Sequence, residues 1–100
     1  MPLTLTKEEK KLLQEKAEIL KALSHPVRLC IVMNLLETEG CNVTKMQNCL
    51  SMAQSTISQH LTKLKSSGIV EGNRTGTEIV YKVIHPDVAR IVKSLGINLN

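Results

Sequence analysis

The spacing of the apolar residues changes near Gly68, and this change restricts the folds that the chain can adopt. Up to residue 66 the apolar residues recur every three or four positions, which is the period of amphipathic helices. After residue 68 they form two runs rich in β-branched residues, separated by Thr75-Gly76-Thr77, as in paired strands. The sequence therefore predicts a helical domain that carries one β-hairpin, with Gly76 at a position of positive φ in its turn.

Helix-capping residues divide the helical part into separate elements. Thr6, followed three residues later by Glu9, forms a capping box at the start of the first helix. Ser24 is expected to cap the second helix, with Pro26 in its first turn and Gly40 as its C-cap. The predicted elements are helices over 7–23, 26–37, 43–50 and 54–66, strands over 69–74 and 78–84, and a last helix over 86–95.

The third and fourth helices form a helix-turn-helix. Asn42 caps the third helix, and the turn Ser51-Met52-Ala53 leads into the fourth. Ile57, Leu61 and Leu64 give the fourth helix one apolar stripe. Its other positions carry no carboxylate: Gln54, Ser55, Thr56, Ser58, Gln59, Thr62 and Lys63. Such side chains suit base edges and phosphates in a DNA major groove. A merely solvated helix is the alternative, but hydroxyl-rich helices have poor intrinsic propensity.

The distribution of charge indicates a polyanionic partner. The net charge is +4, and no acidic residue lies between Glu39 and Glu71. The bases of that stretch are Lys45, Lys63 and Lys65. Residues 1–39 are balanced, so the excess positive charge belongs to the middle and C-terminal parts of the chain. Tyr81 is the one aromatic residue, which disfavours base stacking on single-stranded nucleic acid.

Several other classes of function are disfavoured. The chain has no Gly-rich phosphate loop and no credible Ser-His-Asp arrangement, so we predict no enzyme, no cofactor and no small-molecule substrate. No apolar run is long enough to span a membrane, and the N-terminus does not resemble a signal peptide. We therefore expect a cytoplasmic protein with no membrane partner, and a length of 100 residues fits a single domain over 1–100.

The order of elements and several motifs resemble the ArsR/SmtB family of dimeric winged repressors. The motifs are Leu23-Ser24-His25-Pro26-Val27-Arg28-Leu29, the string from Gln54 to Leu61, Gly68-Ile69-Val70, and the spaced residues Arg74, Gly76 and Tyr81. Within the family, Asn42-Val43-Thr44 and the stretch 73–79 resemble the metal-independent PagR-type regulators. The resemblance implies a mainly α fold with a small β-hairpin, a winged helix-turn-helix, in which the first and last helices form a homodimer interface.

The resemblance also implies which residues contact DNA. Helix 54–66 would enter the major groove, and the hairpin over 69–84 would be the wing, so that a dimer binds two half-sites of an inverted repeat in double-stranded DNA. The candidate DNA-binding residues are Gln54, Ser55, Thr56, Ser58, Gln59, His60, Lys63, Lys65, Arg74 and Thr77. Arg74 would reach a phosphate or the minor groove. His60 has a second interpretation, packing under the helix against a neighbouring backbone.

The metal sites of the family are incomplete in this chain. The Cys-x-Cys pair that many members carry falls on Asn42 and Thr44, so both thiolates are absent. A second family site falls on His85, Asp87 and Asn98, which supply two ligand types rather than a tetrahedral set. We therefore predict no metal.

The three cysteines leave a thiol-based function open. A structural disulfide framework is improbable for an odd number of cysteines in such a chain. Cys41 is the expected exposed thiol, whereas Cys30 and Cys49 are expected to fill the core. Cys41 and Cys49 would lie about 12 Å apart along a continuous helix, too far for a direct bridge. The redox candidates are Cys41 and Cys30.

Taken together, these features predict a dimeric, sequence-specific transcriptional repressor. One alternative is a thiol-responsive version of the same repressor. Another is a winged-helix protein-interaction module that does not bind DNA. Such a module would be expected to carry Glu or Asp on the exposed side of helix 54–66, and none is present.

Overall fold

The computed structural model describes residues 4–97, and over that range it contains five α-helices and one two-stranded antiparallel hairpin. The helices are α1 (Lys7–Leu23), α2 (Pro26–Thr38), α3 (Val43–Leu50), α4 (Gln54–Ser66) and α5 (Pro86–Ser94), and the strands are β1 (Val70–Thr75) and β2 (Glu78–Val83). The predicted fold class, a winged helix-turn-helix, is confirmed. Each predicted boundary lies within one residue of the observed one.

Side-chain caps start α1 and α3 as predicted. The N–H of Thr6 donates to Oε1 of Glu9 at 2.9 Å, and the N–H of Glu9 donates to Oγ1 of Thr6 at 3.1 Å, which completes the capping box. Oδ1 of Asn42 accepts from the N–H of Lys45 at 2.8 Å. Each bond satisfies a backbone donor that has no partner within its helix.

Two helices begin with a His-Pro pair, and the predicted cap of α2 is wrong. Nδ1 of His25 accepts from the N–H of Val27 at 3.1 Å, and Nδ1 of His85 caps α5 in the same way. Ser24 instead ends α1, where its N–H donates to the carbonyl of Lys21 at 3.1 Å. Pro26 explains why His25 and not Ser24 is the N-cap. A proline at the first helical position keeps the residue before it extended, and an N-cap must have that conformation.

The end of α2 also differs from the prediction. Glu39, rather than Gly40, is the C-cap, and it has the left-handed conformation with φ of 59°. Gly40 follows with φ of 132°, and a Cβ there would lie 3.3 Å from Cγ1 of Val80. Glycine is therefore required where the α2–α3 connection crosses β2. Directly after it, Cys41 forms a two-bond antiparallel bridge with Tyr81, with N···O distances of 2.9 and 2.8 Å.

β1 and β2 form the hairpin that is the wing of the fold. Thr75 pairs with Glu78, so that its turn consists of Gly76 and Thr77. Gly76 has φ of 67°, which confirms the predicted positive φ in the turn. The N–H of Ile84 donates to the carbonyl of Ile69 at 2.9 Å and ties the base of the wing together.

The core is aliphatic, in agreement with the near absence of aromatic residues. The stripe Ile57, Leu61 and Leu64 of α4 is buried, as predicted. The buried residues around it come from α1, α2, α3, β1, α5 and the segments just before α3 and β1: Ala22, Leu23, Ile31, Val32, Leu35, Cys41, Met46, Ile69, Val70, Val88 and Val92. The helix that carries the candidate site is therefore anchored by burial of one side, and its polar side is turned outward.

α1 differs from the other helices because most of its apolar surface is exposed. Its buried residues, Ala22 and Leu23, lie at its C-terminal end. Leu12, Leu13 and Leu20 are 52%, 54% and 54% exposed. No single helix within residues 4–97 is long and apolar enough to cross a membrane; α1 and α2 reach that threshold only as a pair, bent by 94° at the break between them.

Truncation of Leu64 tests the anchoring of α4. The side chain is 0% exposed, so Leu64→Ala should lower the free energy of unfolding by about 2–5 kcal/mol through lost burial and a cavity. Urea denaturation at fixed protein concentration measures this change. The control is Thr62→Ala, an exposed site on the same helix, for which we expect a change below about 0.5 kcal/mol. Equal losses in both variants would contradict the packing described.

Candidate nucleic-acid interface

The exposed side of α4 presents hydrogen-bonding groups that have no partner within the described protomer. Gln54, Ser55 and Gln59 are exposed, and no side-chain hydrogen bond within residues 4–97 involves any of them. Thr56 and Ser58 are half-buried at the edge of the same side. Amides and hydroxyls in this arrangement can donate to and accept from base edges.

The N-terminus of α4 adds backbone donors to this surface. Its N-cap is Ala53, which offers no capping side chain, and its first turn contains no acidic residue. The first N–H groups of a helix carry a partial positive charge and bind anions when no side chain satisfies them. The start of α4 therefore favours a phosphate or another anion beside Gln54 and Ser55.

The basic residues of the candidate site lie in two separate places. Lys63 and Lys65 are exposed in the last turn of α4, whereas Arg74 is exposed near the tip of the wing, where the uncharged Thr77 is also exposed. Between α4 and the wing runs a groove that also reaches the start of α3. Its lining residues are Asn42, Val43, Thr44, Gln54, Ser58, Thr77, Glu78, Ile79 and Tyr81.

A hydrogen bond across this groove connects the helix-turn-helix to the wing. Nδ2 of Asn42 donates to Oε1 of Glu78 at 2.6 Å, while Oδ1 of the same amide caps α3. From the sequence, Asn42 was predicted to be a cap and a vacant ligand position, and both residues belong to stretches that resemble PagR-type regulators, but no contact between them was predicted. Because the two residues are 36 positions apart, no local pattern could have paired them.

His60 lies on the inner side of α4 rather than beside the exposed amides. It is half-buried, with its Nδ1 3.4 Å from Nη1 of Arg28 and its ring centroid 4.5 Å from that of His25. Burial, followed by the charges of His25 and Arg28, lowers the pKa of His60 below its ordinary value. His60 was predicted either to contact DNA or to pack under the helix against a neighbouring backbone. Its position corresponds to the second interpretation, but its neighbours are side chains.

The predicted exposures of Cys41 and Cys49 are wrong. Cys41 is 4% exposed, its Sγ donates to the carbonyl of Asn42 at 3.4 Å, and burial raises the pKa of its thiol. The bridge to Tyr81 is the cause, since it holds this stretch of backbone against β2. Cys49 is the exposed thiol, and Cys30 is half-buried. Because a reactive cysteine needs access and thiolate character, Cys41 is a poor redox candidate.

The side chains at the second family metal position are engaged in other contacts. Nδ1 of His85 caps α5, and the Asp87 carboxylate pairs with Nζ of Lys16 at 2.5 Å and with Arg90. These two cations lower the pKa of Asp87. Within residues 4–97 no group of three or more His, Cys, Asp or Glu side chains is placed to hold a metal ion. The remaining position considered, Asn98, lies outside the described residues.

A helix-turn-helix followed by an attached β-hairpin defines the winged helix-turn-helix class of DNA-binding domains. Residues 25–72 match the family described as bacterial regulatory protein, arsR family. The chain is also 42% identical to the transcriptional repressor PagR of Bacillus anthracis over 83 residues, which are 83% of each protein. It therefore belongs to the ArsR family, a family of transcriptional regulators, and the predicted family is confirmed.

Solved structures and a further relative agree with this assignment. The crystal structure of PagR from Bacillus anthracis superposes with a TM-score of 0.82 at 41% identity, covering 87% of this chain and 99% of that one. The solution structure of the homodimeric winged helix-turn-helix domain of Mb0332 from Mycobacterium bovis gives a TM-score of 0.78 at 32% identity, covering 95% and 87%. The biofilm growth-associated repressor of Xylella fastidiosa is 39% identical over 92 residues, 91% of this chain and 80% of that one. These relatives are described as regulators, not as enzymes.

The contact between Asn42 and Glu78 can be tested by a double-mutant cycle. Asn42→Asp keeps a good N-cap but places a second carboxylate against Glu78, so it should lower the free energy of unfolding by about 1 kcal/mol. In the Glu78→Gln background the same change should cost little, because the Gln amide can donate to the new carboxylate. Thermal unfolding of the four proteins at neutral pH measures the coupling, and an equal cost in both backgrounds would exclude the contact.

Proposed function

We propose that the chain is a homodimeric transcriptional repressor that binds an inverted-repeat operator in double-stranded DNA through α4 and the wing. One observation carries this proposal: the exposed side of α4 offers Gln54, Ser55 and Gln59 without side-chain hydrogen-bond partners within residues 4–97 and without a carboxylate among them. A polar, acid-free helix side with Lys63 and Lys65 in its last turn has the composition of a major-groove reader. Family membership supports the same conclusion.

The proposed contacts divide by chemistry. Amide and hydroxyl side chains would contact base edges: Gln54, Ser55, Thr56, Ser58 and Gln59. A Gln side chain suits adenine, and Ser or Thr suits several bases. Lys63 and Lys65 would bind phosphates and supply affinity that depends on salt but not on sequence. Arg74 and Thr77, at the tip of the wing, would contact the backbone or the adjacent minor groove.

A second copy of the chain is the proposed occupant of the exposed apolar side of α1. Leu12, Leu13 and Leu20 are more than half exposed there, and Leu95 and Ile97 are exposed beside the end of α5. Several large aliphatic side chains exposed on one small domain are typical of a protein interface. The residues 1–100 would thus form one domain whose first and last helices pair with those of the partner. Two-fold pairing would set two α4 helices against half-sites about one turn of DNA apart.

The direct test is a titration of DNA binding. The purified protein is titrated against a palindromic duplex from its own upstream region and against a scrambled duplex, at several salt concentrations, with diamide or with reductant. Tighter binding to the first duplex, with a steep negative salt slope, would support the repressor. If both duplexes bind weakly and equally, the titration is repeated with DNA fragments selected genome-wide for binding. Weak binding to those fragments as well would favour the protein-interaction module. A loss of affinity on oxidation alone would favour the thiol-responsive version, acting through Cys30 or Cys49 rather than the buried Cys41.

The proposed phosphate contact of Lys65 predicts a change in salt dependence. Lys65→Gln should weaken binding to both duplexes alike and reduce the slope of log K against log[salt] by about 1 in each half-site. Lys10→Gln, which removes the same charge from the first turn of α1, is the matched control. A loss that affects only the palindromic duplex would instead assign Lys65 to base recognition.

The proposed dimer interface predicts a change in oligomeric state. Leu13→Glu places a charge on the exposed apolar side of α1 and should convert the dimer to a monomer at micromolar concentration, because an unpaired buried charge is costly. Light scattering coupled to size exclusion measures the mass. Asn48→Glu, which adds the same charge at an exposed site of α3, should leave the mass unchanged. A dimer that persists in Leu13→Glu would place the interface elsewhere.

A further inference from the structure

The two sequence motifs most typical of the family meet at one side chain in this structure. His60 comes from the string over 54–61, and its neighbours His25 and Arg28 come from the string over 23–29. The His60 and His25 rings are tilted by 44° with centroids 4.5 Å apart. Neither His60 nor Arg28 is among the proposed base and phosphate contacts, so direct DNA contact does not explain why these two side chains lie together.

Arg28 links three helices. Although it belongs to α2, its Nε donates to the carbonyl of Ala22 in the last turn of α1 at 2.5 Å, and its Nη1 lies 3.4 Å from Nδ1 of His60 in α4. A guanidinium has only donors, so Nδ1 of His60 must be the acceptor, and the ring proton must be on Nε2. The contact is therefore available only to a neutral His60.

We propose that His60 is a positioning residue: its neutral imidazole holds α4 against the corner between α1 and α2, and DNA binding requires that neutral form. This inference rests on the proposed DNA-binding function. Protonation would replace the acceptor by a donor facing the donor of Arg28 and would add a cation beside an existing one. The polar contact that ties the middle of α4 to this corner would then be lost, leaving only the buried stripe of Ile57, Leu61 and Leu64 to hold the helix.

The surroundings of His60 set the direction of the pH effect. Among the described elements packed against α4, α2 and its N-cap supply the charged or titratable neighbours, Arg28 and His25, while no titratable side chain of α1, α3 or β1 shifts the pKa of His60. On α4 itself, Lys63 follows one turn later. The pKa of His60 is lowered from 6.5, so the folded arrangement favours the neutral ring. Its stabilising effect is complete above pH 6.5 and is lost as the pH falls below that value.

A phosphate contact by His60 would produce the opposite trend. In that role the protonated ring would add a positive charge to the interface, so acid would tighten DNA binding. In the positioning role acid weakens it. The sign of the pH dependence therefore separates the two roles directly.

The experiment compares operator affinity at constant ionic strength for three proteins. For the wild type we expect the dissociation constant to rise roughly three- to tenfold between pH 7.5 and pH 5.5. His60→Gln offers Arg28 a carbonyl acceptor that does not titrate, so it should bind as the wild type does at pH 7.5 and lose the pH dependence. His85→Asn, which preserves the cap of α5, should keep the wild-type trend.

Three outcomes would overturn the inference. These are tighter binding in acid, the same pH dependence in His60→Gln as in the wild type, and full affinity at pH 7.5 in a folded Arg28→Lys variant. A lysine cannot replace the two-ended contact of Arg28, so we expect that variant to bind more weakly at every pH.

A measurement without DNA separates this inference from the proposed function. The nitrogen chemical shifts of the imidazole in the free protein report its tautomer, and they should show the Nε2–H form of His60 at pH 7. An Nδ1–H or protonated ring would overturn the inference even if DNA binds. Absence of DNA binding at every pH, with the expected tautomer present, would overturn the proposed function and with it the role of His60 in DNA binding, leaving only the contact with Arg28.

Discussion

The burial of one side of α4 is the constraint on which the rest of the molecule depends. Ile57, Leu61 and Leu64 face an aliphatic core, so the amides and hydroxyls between them must face solvent. A rotation of the helix by one residue, roughly 100°, would move polar side chains into that core, where unpaired hydrogen-bonding groups are costly. The packing that stabilises the domain therefore also determines which side chains a DNA duplex would meet.

Features that depend on near neighbours in the chain were predictable. The capping box of Thr6 and Glu9, the Asn42 cap and the positive φ of Gly76 each involve residues within three positions, and all of them are observed. The stripe of α4 follows from helical spacing in the same way. The N-cap of α2 was predicted one residue too early, at Ser24. The cap is His25, the residue directly before Pro26.

Features that depend on distant contacts were not predictable. The exposure of Cys41 is set by its bridge to a strand 40 positions later, and the hydrogen bond of Asn42 to Glu78 spans 36 positions. His60 could be placed on either side of its helix from sequence, because its neighbour Arg28 lies 32 positions earlier. For the candidate DNA contacts, sequence supplied the residue types, whereas the structure supplied their exposure and the separation of the two basic regions.

The bridge between Cys41 and Tyr81 fixes β2 at one point, so a small tilt there produces a larger displacement at the tip of the wing. An isolated two-stranded hairpin is only marginally stable, but here β2 is clamped on its second edge by the α2–α3 connection. The tip at Gly76 lies about 15 Å from that clamp along an extended strand, so a tilt of roughly 10° at the clamp would displace the tip by about 2.5 Å. That displacement is close to the length of a hydrogen bond. Substitutions in the short connection before α3 would thus alter the reach of Arg74.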